Sequence, residues 1–507
     1  MSQAIILMTR IPWIEETKTR LSDFFSPEER EKFSLHLLEK NLAIIESCSA
    51  DCFVAVHPIG YQKEVEAYLS GRPFEVFEQS AGDLGEKMSN AFKHLFERGY
   101  QSIILIGSDL FNLSNSLIEE AFDQLNQSSV EAVITPTADG GYGLIGMSKY
   151  LPELFNISSY GHSEVFERVM AVANDHRISI QSIGELRDID DKEDVAVAIT
   201  GDPAAKFLAQ GEYNANFIFD NERRLLRIAL GSQMHLENQI EYEYHALKGL
   251  ATSGVVPPVY ELVAYHPLIG KGYLIERYLP GRSLNYDTDL TIAAELLARV
   301  HSVPPEDIPT LIKVDQPFRT MLEEFETMFE VYQQWEYKDT VYEERILALL
   351  DQLKQYDVNE PINQPVVINT ELNASNFLIN DTSENSYIID WEKPLIGEKE
   401  QDLAHFLAPT TTLWKTNKVF TEKEIEHFIA IYNRFSRFEV DRSKLNQYLL
   451  FTCMRGMTWC AMAYVEYMEA SKTAMNPQTF NVIKRYLTEE YLSAVEQRFN
   501  NGGFITP

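Results

Sequence analysis

The chain has 507 residues, 45% of them apolar, with 44 basic and 76 acidic side chains and a formal net charge of −32. That size exceeds the core of one ordinary domain, and the charge argues against nucleic acid or an anionic membrane as main partner, so any polyanionic ligand must be held by a few placed cations. No run approaches the ~18 apolar residues of a membrane span, and the N-terminus lacks the basic and long apolar regions of a signal peptide, so the expectation is a cytoplasmic protein, without membrane insertion, that acts on small molecules.

AIILM, at positions 4 to 8, reads as a short buried strand, and the polar loop IPWIEETKTRL leads to a helix start at Ser26-Pro27-Glu28-Glu29. Lys18 and Arg20 thus follow the C-terminal end of a first strand, where open α/β sheets bind ligands. In QSAGDLGEKMSNAF, Gly82 and Gly85 bracket Asp83 ahead of a helix, and in SIILIGSDLFNL a short apolar strand delivers Asp109. AVITPTADGGYGLIGM follows, with Asp139, Gly140, Gly141 and Tyr142, and then RDIDDKEDV, with Asp188 and Asp190. A strand ending in Gly, a small residue and Asp presents a carboxylate to the metal bridging a di- or triphosphate. Singly, Asp109 and Asp139 also suit turns, and DIDDKED also suits a helix N-cap.

In this order over about 180 residues, the five motifs resemble bacterial transferases of GT-A fold, related to 2-phospholactate guanylyltransferase and to other small nucleotidyltransferases, some labelled glycosyltransferases. The resemblance implies an α/β domain with a mixed sheet and flanking helices over residues 1–200. It implies that Lys18 and Arg20 contact phosphates, that Asp109 binds Mg²⁺ with Asp188 or Asp190, that Gly82, Asp83 and Gly85 bind the nucleotide, and that Gly140, Gly141 and Tyr142 line the acceptor pocket. The substrate would be a nucleoside triphosphate or a nucleotide sugar. Ile14 and Glu15 stand where the family carries Pro-Gly, and Phe111 where Pro follows G-S-D-L. Glu15 removes backbone freedom and adds negative charge near the phosphate position.

AITGDPAAK, at 198–206, reads as a turn between domains. Beyond it GEYNANFIFDNERRLLRIAL forms a hairpin pattern around DNERR, with Arg227 on the second strand, and ENQIEYEYHALKGL is helical and contains Glu243. YLIERYLPGRSL carries Glu276 and Tyr278. Residues 366–406, VVINTELNASNFLINDTSENSYIIDWEKPLIGEKEQDLAHF, then place an acid and an amide at a spacing suited to phosphoryl transfer.

This segment resembles the aminoglycoside phosphotransferase and choline kinase superfamily, whose loop runs H-x-D-x-x-x-x-N and is followed by an I-D-W type strand and G-D-P-x-x-D-L-A. The resemblance implies a two-lobed, protein-kinase-like α+β domain over 205–507, with a small lobe at 205–283 and a helical large lobe at 284–507. ATP would be the phosphoryl donor. Asn376 and Asp390 would hold Mg²⁺ and Glu371 would orient the acceptor hydroxyl. Arg227 would contact the α/β-phosphates and pair with Glu243, the Gly211 to Asn216 turn would cover the nucleotide, and Glu276 to Tyr278 would lie near adenine. Asp402 matches the later family aspartate, and His301 reads as a packed histidine. Two positions depart from the pattern. Asn369 stands for His, and Glu371 for Asp, with the same carboxylate on a longer stem. Both an active kinase and a nucleotide-sensing pseudokinase remain open.

FRTMLEEFETMFEVYQQWEY, EKEIEHFIAIYNRF and TFNVIKRYLTEEYLSAVEQRF suit the large lobe, and LLFTCMRGMTWCAMAYV, interrupted by Arg455, reads as a buried helix. Cys48 and Cys52, and Cys453 and Cys460, fall on predicted helices as free thiols. Glu392, Glu398 and Glu400 hint at a cationic or polyhydroxylated acceptor, or form a solvated acidic face. Two such domains suggest a bifunctional transferase, a kinase whose phosphomonoester product is then nucleotidylated; the alternative is a glycosyltransferase fused to a kinase or pseudokinase.

Overall fold

The computed structural model describes residues 2–157, 159–470 and 476–506. Seven strands, β1 (Gln3–Arg10), β2 (Asp51–His57), β3 (Phe74–Glu78), β4 (Ser102–Gly107), β5 (Ala132–Pro136), β6 (Tyr142–Met147) and β7 (Ile180–Ser182), form one sheet in the order β3-β2-β1-β4-β6-β5-β7. Neighbours among β1 to β4 run parallel, whereas β6 is antiparallel to both β4 and β5, so the sheet is mixed. Strand periodicity sorts the side chains. Ile5 and Leu7 of β1 enter one apolar cluster, and Ala4, Ile6 and Met8 enter another on the opposite face.

Helices α1 (Pro27–Glu46), α2 (Gln62–Tyr68), α3 (Leu84–Glu97), α4 (Asn115–Leu125), α5 (Val165–Asp175) and α6 (Lys192–Thr200) complete this part. Leu38 and Leu42 of α1 and Ile118 and Phe122 of α4 fill the first cluster, and Met88 and Phe92 of α3 and Val169 of α5 fill the second. The start signal at Ser26 is a capping box: Ser26 accepts from the amide of Glu29, whose carboxylate accepts from the amide of Ser26, with Pro27 in the first turn.

The strands β8 (Lys206–Gln210), β9 (Asn214–Phe219), β10 (Arg224–Ala229), β11 (Val259–His266) and β12 (Lys271–Arg277) form a second sheet, ordered β11-β12-β10-β9-β8. DNERR turns between β9 and β10 with Asp220, Asn221 and Glu222 all at positive φ. Two short pairs follow. β13 (Pro365–Ile368) pairs with β16 (Leu395–Glu398), and β14 (Phe377–Leu378) with β15 (Tyr387–Ile388), all antiparallel. The helices are α7 (Gln239–Leu250), α8 (Leu290–Val300), α9 (Pro317–Gln334), α10 (Thr340–Leu353), α11 (Lys399–Leu407), α12 (Pro409–Lys415), α13 (Glu422–Phe435), α14 (Arg442–Met468), α15 (Pro477–Tyr486) and α16 (Glu489–Asn500). Buried along much of its length, α14 packs against α9, α11, α12 and α15. By compactness the chain divides into one unit of 1–222, 226–230 and 263–273 and another of 223–225, 231–262 and 274–507.

One local expectation differs from the structure, and one stretch is divided. The stretch TFNVIKRYLTEEYLSAVEQRF is two helices, because the Thr488 hydroxyl accepts from the amide of Tyr491 and starts α16 afresh. Cys48 and Cys52 do not share a helix: small polar residues end α1, and Cys52 lies on β2. All four thiols are free, and Cys453 and Cys460 are buried on α14. Among the described residues no helix is long and apolar enough to cross a membrane.

Candidate active sites

In the first unit, the C-terminal ends of β1 and β4 open onto a cavity of about 830 Å³ lined by Lys18, Arg20, Gly82, Asp83, Asp109 and Asp190 among others. Lys18 sits at φ 53°, in the left-handed region. Its ammonium donates to Asp109 at 2.7 Å and to Asp190 at 3.1 Å, and the side chain is only 4% exposed. Burial by itself pulls the lysine pKa down, but the Asp109 and Asp190 carboxylates hold it above its ordinary value. Arg20 is largely exposed, 3.5 Å from Asp190.

Asp188 reaches the same cavity because Leu110 and Asp188 form an isolated antiparallel bridge, tying the D-I-D segment to the G-S-D-L loop. Its carboxyl is pushed up to about 6 by burial and then by the charges of Asp190 and Asp139, with Lys18 opposing. Three carboxylates therefore face one buried lysine, a surplus of negative charge. That donor set fits a hard divalent cation, and Mg²⁺ commonly takes one or two protein carboxylates alongside substrate phosphates. Among the described residues no group of three or more His, Cys, Asp or Glu converges into a metal cage.

The remaining motif residues divide. Gly82, Asp83 and Tyr142 line the cavity, while Asp83 also caps α3 through a box with Glu86. Gly85, Gly140 and Gly141 do not line it. Gly140 sits at φ 87°, where a Cβ would fall 2.0 Å from the Ser163 carbonyl oxygen, and a Cβ on Gly85 would fall 2.8 Å from the Phe155 carbonyl oxygen. These glycines serve close packing and the β5–β6 turn. Asp139 likewise holds its own turn, accepting from Thr137 at 2.5 Å and from the Gly141 amide at 3.1 Å. Asp191 caps α6, leaving Asp188 and Asp190 to the cavity.

In the second unit, β13 runs into the loop 369–376. Asp402 on α11 is fully buried and accepts from the backbone amides of Asn369 and Thr370, each at 2.8 Å, while His301 contacts it at 3.3 Å. His301 also meets the Tyr432 hydroxyl at 2.8 Å, so it packs as a structural residue. The Asn369 side chain donates to the Asp390 carbonyl at 2.9 Å and accepts from the Glu371 amide at 3.2 Å. Its amide thus bonds to the backbone of both Asp390 and Glu371 without any charge. Thr370 and Asp390 have φ of 74° and 65°, strained conformations that this bonding helps hold. Asn376 donates to the Asp390 carboxylate at 3.2 Å. An amide and a carboxylate side by side supply oxygen donors of the kind Mg²⁺ prefers.

Glu371 faces a different cavity, of about 310 Å³, with Gln233, Asn373, Trp414, Arg455 and Trp459 in its lining. Gln233 donates to Glu371 at 2.8 Å, and Arg455 lies 3.7 Å from Glu371 and 3.4 Å from Glu324. Arg455 was not foreseen as a site residue, although its signal is present in the sequence as a lone cation inside an apolar helix. Burial and then the charges of Arg455 and Lys393 push the His405 pKa down to about 3, keeping the ring neutral. Of Glu392, Glu398 and Glu400, the last two do not face an acceptor. Glu398 is buried against Lys444 and Tyr448, each at 2.8 Å, and Glu400 is buried against Lys399 at 2.9 Å. Neither is a solvated face. Arg227 lies half-buried on β10 and Glu243 is buried on α7. Glu276 is buried near the end of β12, and the Tyr278 amide just beyond donates to the Arg223 carbonyl at 3.0 Å.

Residues 41–162 match the family described as "uncharacterized protein conserved in bacteria" (DUF2064), and residues 204–445 match the phosphotransferase enzyme family. Solved structures similar to this chain include a candidate nucleotide-diphospho-sugar transferase of Desulfovibrio desulfuricans, at 25% identity over 40% of this chain and 89% of that one, with a TM-score of 0.38. Another is a candidate aminoglycoside phosphotransferase of Ralstonia eutropha, at 16% identity over 58% of this chain and 92% of that one, with a TM-score of 0.46. A third is an ethanolamine kinase of Plasmodium vivax, at 14% identity over 57% of this chain and 82% of that one, with a TM-score of 0.39. No curated protein matches the chain.

Proposed function

We propose, for a chain that carries a DUF2064 domain followed by a phosphotransferase-family domain, that the second phosphorylates a small alcohol or sugar with ATP and the first transfers a nucleotidyl group to the product. The functional boundary of this reading lies at 200–205. The observation that carries it is the coexistence in one chain of a cavity built on Lys18, Asp109 and Asp190, which suits a metal-bound phosphate, and a second cavity walled by Glu371, a carboxylate able to take a hydroxyl proton.

In the kinase step Glu371 accepts the acceptor's hydroxyl proton while the oxygen attacks the γ-phosphorus of ATP and ADP leaves. Gln233 aims the carboxylate, and Asp402 fixes the loop beneath it. In the nucleotidyl step an oxygen of the phosphomonoester attacks the α-phosphorus of a second nucleoside triphosphate and pyrophosphate leaves, with Lys18 and Arg20 balancing phosphate charge. Mg²⁺ held by Asp109 with Asp188 or Asp190, and by Asn376 with Asp390, would neutralise charge that develops on the phosphates. Asn369 supports an active kinase, since its amide supplies both a donor and an acceptor to the loop.

Purified protein given ATP, a second nucleoside triphosphate and a broad metabolite extract should release pyrophosphate well above an Asp109→Ala control; equal release would sink the nucleotidyl reading. The roomy first cavity favours one alternative, a nucleotide-sugar donor and glycosyl transfer. Release of nucleoside diphosphate in place of pyrophosphate would identify it.

A further inference from the structure

Building on the kinase reading, we infer that the cavity beside Glu371 takes a single uncharged hydroxylated ring, a monosaccharide or cyclitol, as the phosphoryl acceptor. Its size is the first reason. At about 310 Å³ it lies at the small end of ligand pockets, a limit that suits one ring with a modest substituent better than a multi-ring aminocyclitol. The crossing of α14 over α12 sets that limit: a Cβ on Gly456 would fall 2.6 Å from Thr410, so the two helices close the pocket wall at near-contact distance.

Charge is the second reason. Among the described lining residues Glu371 and Arg455 are the charged pair, with His405 held neutral. Glu371 is the group that must receive the hydroxyl proton, so no carboxylate is left over for an ammonium, and a cationic acceptor would meet Arg455 directly. An anionic acceptor would have to compete with Glu371 and Glu324 for Arg455. A neutral acceptor meets neither cost.

The walls are the third. Trp414 meets Trp459 edge-on with centroids 5.4 Å apart and Tyr486 with centroids 6.0 Å apart. Flat aromatic faces suit the C–H surface of a sugar or cyclitol ring. Uncharged donors and acceptors on Gln233, Asn373 and the threonines Thr410, Thr411 and Thr452 suit its hydroxyls. In the reaction the ring oxygen forms a bond to the γ-phosphorus, the β,γ-bridging P–O bond of ATP breaks, ADP leaves, and the hydroxyl proton passes to Glu371. The product, a ring phosphomonoester, is the class of nucleophile that the proposed nucleotidyl step consumes.

The test uses the full chain with ATP and Mg²⁺ and two groups of probes, glucose, galactose, mannose, N-acetylglucosamine and myo-inositol against choline, ethanolamine and kanamycin. ³¹P NMR reads the product and tryptophan fluorescence reads binding. At least one neutral ring should be phosphorylated with kcat/KM about 100-fold above every cation, and Trp459→Leu should raise its KM at least tenfold while the KM for ATP stays within twofold. If Trp459→Leu misfolds, Trp459→Phe should give a smaller increase in the same direction. Preference for choline, ethanolamine or kanamycin overturns the neutral ring and leaves the kinase reading standing, as does ATP-dependent binding without any neutral ring bound or phosphorylated. If ATP stabilises wild type no more than Asp390→Ala and no probe yields ADP, the kinase reading itself falls.

Discussion

The ammonium of Lys18 lies 2.7 Å from Asp109 and 3.1 Å from Asp190, so one buried cation joins the carboxylates of two separate motifs. A divalent cation seeking those carboxylates must compete with a positive charge already seated between them. Lys18→Met should therefore tighten Mn²⁺ binding to nucleotide-free protein by tenfold or more, read by calorimetry. The same variant should cut pyrophosphate release about 10²-fold or more, since a charge that balances the phosphates in the transition state is lost. Unchanged Mn²⁺ affinity would mean that the lysine only fills space.

Asp188 gives the first cavity a pH signature. Its folded carboxyl titrates at about 6, above the ordinary value of 3.8, because it is buried beside Asp190 and Asp139. A raised carboxyl favours folding while protonated, so its contribution is present below about 4 and is lost as pH rises through about 6. Asp188→Asn removes that titration. Melting temperatures of nucleotide-free protein should then diverge in one direction: relative to wild type, the Asn variant gains stability between pH 4 and pH 7 and levels off above. A constant difference across that range would refute the assignment.

Local patterns in the sequence translated well where chemistry is local. Ser26-Pro27-Glu28-Glu29 formed its capping box, and the strand leading to Asp109 ends at a cavity. What depended on remote partners was not legible. Whether Gly140 faces a ligand or a carbonyl is decided by Ser163, and whether Glu398 is solvated is decided by Lys444 and Tyr448 on another helix. Arg455 was visible as an anomaly within an apolar helix, yet its role as neighbour to Glu371 required α14 to be placed against the loop 369–376.

Glu371 allows the altered loop to be tested directly. If its carboxylate receives the hydroxyl proton, Glu371→Gln should lower phosphoryl transfer by about 10²- to 10⁴-fold with little change in ATP binding. Glu371→Asp shortens the stem and withdraws the carboxylate from Gln233, which donates to it at 2.8 Å. That variant should retain intermediate activity, and Asn369→His should not improve it, because Asn369 already bonds to both flanks of the loop. A gain of activity in the double variant would instead mark the natural residues as attenuating.

Asp402 is where stability and catalysis meet. Fully buried, it accepts from two consecutive backbone amides at 2.8 Å and contacts His301, which in turn meets Tyr432. Asp402→Ala would strand both amides away from water, at a cost of about 3 kcal/mol or more. For a unit of this size that lowers the melting temperature by roughly 6 °C or more. Asp402→Asn keeps the volume and one acceptor oxygen but turns an N–H toward one of the two amides, so it should lose less stability. Its catalytic loss should still exceed what stability alone predicts, because the loop bearing Glu371 would shift and displacements of about 1 Å can cost 10²-fold in rate. The measurement is kcat for phosphoryl transfer at a temperature where wild type and Asp402→Asn are both folded by circular dichroism. A normal kcat there would confine Asp402 to the stability of the helical lobe.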